Sequence, residues 1–235
     1  MACILHIETS TDTCSVAVSQ DGLNIYDMAD TEGRNHAVVL ADFVRDTLSF
    51  ADSHAIPVDA VAISKGPGSY TGLRIGVSLA KGVCFARQIP LIAVDTLKVL
   101  CVPLLLRESL PENALLCPMI DARRMEVYCA LYNRALRTVQ DTKALVVDEN
   151  SFREVLDSQP VAFIGRGSTK CRDVIKHENA LFFDDVRPLA KNMLPLAEMK
   201  LMKNEIEDTA YFEPFYLKEF VAGVSTKLQQ TLRGE

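Results

Sequence analysis

The chain has 235 residues, 49% of them hydrophobic and 24% charged, with only 11 Gly and 10 Pro. This composition fills a packed core, excludes a disordered chain and, at this length, allows one large domain or two small lobes. Acidic residues outnumber basic ones, 31 against 25, so the footprint of a stand-alone DNA or RNA binder is missing.

The first thirty residues read as three short strands, Cys3 to Ile7, Cys14 to Ser19 and Leu23 to Met28, with Gln20-Asp21-Gly22 turning the last two into a hairpin. From His36 to Phe50, Val39/Phe43 and Leu40/Val44/Leu48 recur at four-residue spacing, which predicts a helix with one apolar face. A buried strand follows at Val58 to Ser64. Next come the turn Gly66-Pro67-Gly68-Ser69-Tyr70-Thr71-Gly72, a helix from Leu73 to about Arg87, a strand at Leu91 to Val94 and a helix after Asp95.

The second half opens the same way. Leu115 to Ile120 is an apolar strand ending in an acid, Asp121, as the first strand ends in Glu8, and Val16 and Cys129 each lie eight residues beyond those acids. A third strand spans about Leu136 to Val147. It is followed by a short helix at Ser151 to Leu156, a strand at Val161 to Ile164, and helices at Thr169 to Ile175 and Leu189 to Lys203. Strand-strand-strand-helix-strand-helix therefore occurs twice, which predicts an α/β protein of two similar lobes facing a cleft, the architecture of the sugar kinase and actin superfamily. The lobes are expected at residues 1–108 and 109–204, with 205–235 packing back on the first.

Seven cysteines without a C-x-x-C pair argue against a zinc ribbon or a disulfide framework. The first residues lack the basic start and apolar run of a signal peptide. The most apolar window, Leu91 to Leu106, is interrupted by Asp95, Lys98 and Pro103. A cytoplasmic protein with reduced, packed thiols and no membrane helix is expected.

Gly66, Gly68 and Ser69 sit between a strand and a helix, where backbone N–H groups can cradle an anion. The segment lacks the Gly-Lys-Ser/Thr of a phosphate loop and is one residue longer than a dinucleotide fingerprint. A tight turn explains it equally. In the helix that follows, Gly72, Gly76 and Ala80 form a strip nearly free of side chains. Interior glycines cost about 1 kcal/mol each relative to Ala, so either the core or a closely packed partner helix should compensate.

Glu8, Thr9, Ser10 and Asp12 place an acid and hydroxyls at a strand end, suited to phosphate and its magnesium or to a self-bonded β-turn. Asp121, with Gly165 and Gly167, is the corresponding candidate in the second half. The four histidines, His6, His36, His54 and His177, are never closer than 18 residues, so no local metal cluster is legible. No nucleophile elbow exists either. Arg123-Arg124, Lys65 and Arg74 are candidate phosphate contacts.

Two stretches, Ile7-Glu8-Thr9-Ser10-Thr11-Asp12 through Val18 and Ser64-Lys65-Gly66-Pro67-Gly68 through Gly76, carry a resemblance. Together with Arg34-Asn35-His36, Asp121-Ala122-Arg123-Arg124, Glu126-Val127-Tyr128, Pro214 and Tyr216-Leu217-Lys218, they resemble the TsaB (formerly YeaZ) family. That family is a subunit of the bacterial machinery that makes N6-threonylcarbamoyladenosine beside the tRNA anticodon. Ala37-Val38 depart from it, since relatives often carry Ser-Glu there.

The resemblance implies an actin-like (ribonuclease H-like) fold and a non-catalytic partner of TsaD, whose His-x-x-x-His pair falls where this chain has Thr96 and Leu100. It implies TsaE as a second partner, a homodimer when alone, and tRNA only within the complex. It also moves the glycine strip to an interface made by His36, Leu40, Phe43, Gly72, Leu73, Gly76, Val77 and Ala80. The competing readings are an actin-like ATPase holding ATP or ADP with Mg through Glu8, Asp12 and Asp121, and a glycoprotease-like protein.

Overall fold

The structure, a computed structural model, describes residues 2–33, 36–107 and 110–218. Its first unit runs β1 (Cys3–Glu8), β2 (Cys14–Gln20), β3 (Leu23–Asp30), α1 (His36–Ser53), β4 (Ala60–Gly66), α2 (Tyr70–Arg87), β5 (Leu91–Asp95) and α3 (Thr96–Arg107). The second runs β6 (Leu115–Asp121), β7 (Glu126–Tyr132), β8 (Thr138–Val146), α4 (Arg153–Leu156), β9 (Val161–Ile164), α5 (Arg166–Thr169) and β10 (Ala180–Phe183). A 3-10 turn (Ala190–Met193) and α6 (Leu194–Met202) close the chain's regular structure.

The repeat expected from the sequence is present in the topology. The sheets are ordered β3-β2-β1-β4-β5 and β8-β7-β6-β9-β10, each with an antiparallel meander on one side and two parallel strands on the other. β1 and β6 occupy equivalent central places, with Ile7 opposite Val16 and Met119 opposite Cys129. Every residue of β1 is buried, as a strand paired on both edges and covered on both faces requires, and hence its unbroken apolar run.

α3 is apolar all round because it lies between the units. Leu97, Leu100, Cys101 and Leu104 pack with the second sheet, and Val99 and Val102 with the first. All seven cysteines are buried free thiols, and no described helix is long and apolar enough to cross a membrane.

Four local expectations change. α2 begins at Tyr70, because Ser69 caps it with its hydroxyl accepting from Gly72 N at 3.2 Å. The helix expected at Thr169 to Ile175 is α5, ending at Thr169, followed by turns. Its successor, β10, is a four-residue strand that the sequence pattern does not announce. The chain also returns to the first sheet earlier than residue 205: Met193, Leu196 and Ala197 pack on Ile4, Ala60, Ala62 and Ile92. Residues 207–218 then follow the first unit, through Glu207 N to Leu91 O (2.8 Å), Lys81 Nζ to Ala210 O (2.9 Å) and Phe215 N to Lys65 O (2.7 Å). Residues 219–235, Arg34 and Asn35 lie outside the described residues.

The glycine strip is the largest correction. Gly72 and Gly76 face inward: a Cβ on Gly72 would collide with the carbonyl of Thr9, and one on Gly76 with the Thr9 hydroxyl. Gly68 lies in the same way against the carbonyl of Ser10. The turn between β1 and β2, not a partner helix, offsets the glycine penalty. Leu40, Leu73, Val77 and Ala80 are likewise buried in the chain's own core, so these residues and the two glycines cannot form a partner-facing surface.

Gly82, by contrast, lies exposed on the same helix, and a Cβ added there would meet nothing within 4 Å. Gly76→Ala should therefore lower stability by about 1–3 kcal/mol through overpacking, although Ala is the better helix former. Gly82→Ala should raise it by up to about 1 kcal/mol. Urea unfolding of the isolated chain compares the two; equal responses would contradict the inward placement.

Candidate functional site

The carboxyl ends of the central strands of both sheets open on one cleft of about 1380 Å³. Its walls come from the β1–β2 turn (Ser10, Asp12), the start of α2 (Gly68, Ser69), the β6–β7 turn (Asp121, Arg123) and the start of α5 (Arg166, Gly167). Among the candidate phosphate-loop residues these line the cleft, whereas Glu8, Thr9, Gly66 and Gly165 do not.

Glu8 is sealed beneath the turn. It is fully buried, and its Oε1 accepts from Ser10 N at 2.6 Å. Burial pushes its carboxyl up to about 7, against the opposing pull of the hydrogen bond from Ser10 N. Thr9 is consumed by the glycine contacts, and Ser69 by the cap of α2. Gly66 and Gly165 hold positive φ angles of 109° and 95°, and serve the backbone: Gly66 passes against Phe215 O, Gly165 against Met119 O.

Asp12, Asp121 and Asp184 are paired. Asp12 meets Arg166 across the cleft, joining the two units. Asp121 accepts from Arg123 N at 2.8 Å and forms an ion pair with Lys170, which also reaches Glu126 O at 2.7 Å. Asp184 holds Arg172 at 2.6 Å and accepts from Ser168 Oγ at 2.8 Å. Arg187 donates to Thr31 O at 3.0 Å, a second tie between the units. No three metal-ligating side chains come together among the described residues. Thr96 Oγ1 accepts from Gly66 N at 3.2 Å, and Leu100, which lines the cleft floor, carries no metal-ligating atom.

Several residues in the cleft are outside the phosphate-loop candidates read from the sequence. Three of the six tyrosines, Tyr70, Tyr128 and Tyr216, line it, and Tyr70 and Tyr216 pack with ring centroids 4.7 Å apart. Lys218, two residues on, pairs with Glu126 and so carries the C-terminal segment across to the second unit. No periodicity marks Tyr216 and Lys218, because a segment after the last helix has no face to repeat. His36 is half-buried and lines the same cleft at the start of α1.

The model of the family described as TsaD, tRNA N6-adenosine threonylcarbamoyltransferase, matches residues 30–225. The tRNA threonylcarbamoyladenosine biosynthesis protein TsaB of Escherichia coli K12 is 29% identical over 226 residues, covering 93% of this chain and 96% of that protein. Its counterpart in Bacillus subtilis 168 is 32% identical over 74% of this chain and 75% of that protein. Among solved structures, YeaZ from Pseudomonas aeruginosa superposes with a TM-score of 0.78 at 27% identity, covering 92% of this chain and all of that one.

The buried Glu8 makes a signed prediction. Its pKa is raised on folding, so the folded chain binds more protons than the unfolded one between the ordinary value of 4.5 and about 7, and stability falls as pH rises through that window. The loss is of order 3 kcal/mol. His6, buried and lowered to about 3 by desolvation, acts in the opposite sense, losing stability as pH falls below 6.5, but cancels in a difference measurement. Glu8→Gln should thus match the wild type near pH 4.5 and exceed it in Tm at pH 8. Thermal unfolding curves that stay parallel across that range would contradict a sealed carboxyl.

Proposed function

The chain belongs to the TsaB family and acts in tRNA threonylcarbamoyladenosine biosynthesis, and we propose that within it the chain is the non-catalytic subunit that assembles with the transferase TsaD. One observation carries the reading: α1 and α2 keep an unpartnered outward face. Arg87 at the end of α2 pairs with Asp52 at the end of α1 at 2.7 Å, so the helices run side by side in the same direction. Thr71, Arg74, Ser78, Gly82 and Phe85 form one exposed stripe at helical spacing. Phe85 is 77% exposed, and Val38 on α1 is 64% exposed. An exposed phenylalanine beside short side chains and an unexplained helical glycine suits close packing of a partner's helices. In the isolated chain the same face would hold a second copy. TsaE belongs to the same assembly, as does tRNA.

The site's chemistry supports a partner role over turnover. A magnesium-bound adenine nucleotide does not fit these side chains: Glu8 is closed off, and Asp12 and Asp121 are committed to Arg166 and Lys170. The metal-binding pair of TsaD has no histidine counterpart here: Thr96 and Leu100 stand in its place, and the Thr96 hydroxyl is taken by Gly66 N. The two five-stranded units are read as lobes of one cytoplasmic subunit, with the transfer chemistry in TsaD.

Mixing purified chain with its cognate TsaD, with size exclusion and light scattering as readout, tests the assignment. A heterodimer should form, and Phe85→Asp should weaken it at least about 30-fold while leaving the chain folded, as expected for an exposed hot-spot residue. ATP turnover by the isolated chain, or a complex indifferent to Phe85→Asp and Gly82→Leu, would reject the reading.

A further inference from the structure

The β6–β7 turn holds two consecutive arginines, Arg123 at φ 72° and Arg124 at φ 47°, closed by Glu126 N to Arg123 O at 3.0 Å. Left-handed backbone is costly for a residue with a Cβ, and turns of this kind favour Asn and Gly. Both arginines are exposed, and among the described residues neither guanidinium has an acidic partner. The neighbouring acids are neutralised by other cations: Asp121 by Lys170, and Glu126 by Lys218.

Lys218 also locates the other half of the surface. It ties the chain to Glu126, two residues beyond Arg124, and Tyr216 lies only two residues before it. Tyr216 packs on Tyr70, and Arg74 sits over the Tyr70 ring at 5.5 Å from its centroid. The mouth of the cleft thus presents tyrosine rings beside unneutralised guanidinium groups. Aromatic faces stack nucleobases while cations follow the phosphates, the pattern of single-stranded RNA recognition.

We propose that this mouth, Tyr70 and Tyr216 together with the Arg123–Arg124 turn, is a contact surface for a single-stranded stretch of tRNA in the assembled machinery. The proposal rests on the family reading above and gives it a location. Asp185 is the cleft carboxylate without an ion pair among the described residues, and Arg187 follows it on the same segment. A few unneutralised cations give weak affinity, so the surface would work as one part of a larger footprint, which matches a chain of net charge −6.

The test uses the complex of this chain with cognate TsaD and a labelled unmodified tRNA transcript, with Kd measured between about 50 and 200 mM salt. Arg123→Gly/Arg124→Gly removes both charges while glycine accepts the left-handed turn, so folding is retained. It should weaken binding and flatten the slope of log K against log salt by about 1.4, two single-strand phosphate contacts. Tyr216→Ala should weaken binding roughly 10-fold with the slope unchanged, and Tyr216→Phe should restore it. Normal affinity and slope in all variants, with the complex intact, would overturn this surface alone. Loss of a protein subunit from the assembly with tRNA affinity unchanged would assign it to a protein partner and overturn it too. A wild-type complex that fails to form or to bind tRNA would overturn the family reading along with it.

Discussion

The structure depends on how closely α2 approaches the turn after β1. Gly68, Gly72 and Gly76 bring the helix backbone against the carbonyls of Ser10 and Thr9 and the Thr9 hydroxyl, with no room for a Cβ at any of them. Ser69 N, donating to Ser10 O at 2.7 Å, fixes the same junction. The second unit repeats the device in reduced form, with Gly167 where a Cβ would lie 2.6 Å from Met119 O. In each unit the helix after the fourth strand is pressed onto the end of the central strand. The floor of the cleft is consequently built from backbone.

Sealing that floor redistributes chemistry. In an open actin-like cleft the acid ending β1 would face the ligand; here Glu8 lies under Thr9 and Ser10, where burial favours its neutral form. Most of the acids that do reach the cleft are consumed in holding the units together or fixing turns, as with Asp12 and Arg166 or Asp121 and Lys170. These exposed pairs contribute little to stability, about 0–1 kcal/mol each, but they leave no free carboxylate cluster for a divalent ion among the described residues. The same fold can therefore keep two lobes and a cleft without a divalent-ion site among the described residues, and on the reading proposed above the outer helices and the cleft mouth take over as the binding surfaces.

Much of this architecture was legible because β1, β2, β4, β6 and β9 are central and buried on both faces, which writes itself as short apolar runs, and because an acid follows both β1 and β6. Other elements left weaker marks. β10 is four half-buried residues between polar segments, too short to show alternation, and α5 is a single turn whose glycine carries its packing. The periodicity of Gly72, Gly76 and Ala80 announced a close approach but could not say from which side, since a stripe of small residues suits a core as well as a partner. Gly82 stands outside that period and carries no mark of its own, yet it is the helical glycine for which the chain's own packing offers no reason. The cleft tyrosines were illegible for another cause: Tyr70, Tyr128 and Tyr216 come from three segments that only the folded chain brings together.

Net charge describes the chain as a whole. A chain with six more acids than bases does not read as a stand-alone nucleic-acid binder, but which charges remain after local pairing differs from one edge of the surface to another. Around the β6–β7 turn the acids are already matched by Lys170 and Lys218, and the arginines of the turn are surplus. Exposed acids such as Asp42 and Asp46, which face Arg45 on α1, lie on a different element from that turn. At a Debye length of about 8 Å in physiological salt, charges farther away than this are largely screened from it. A protein can therefore be acidic overall and still present a cationic, aromatic edge where its two units meet.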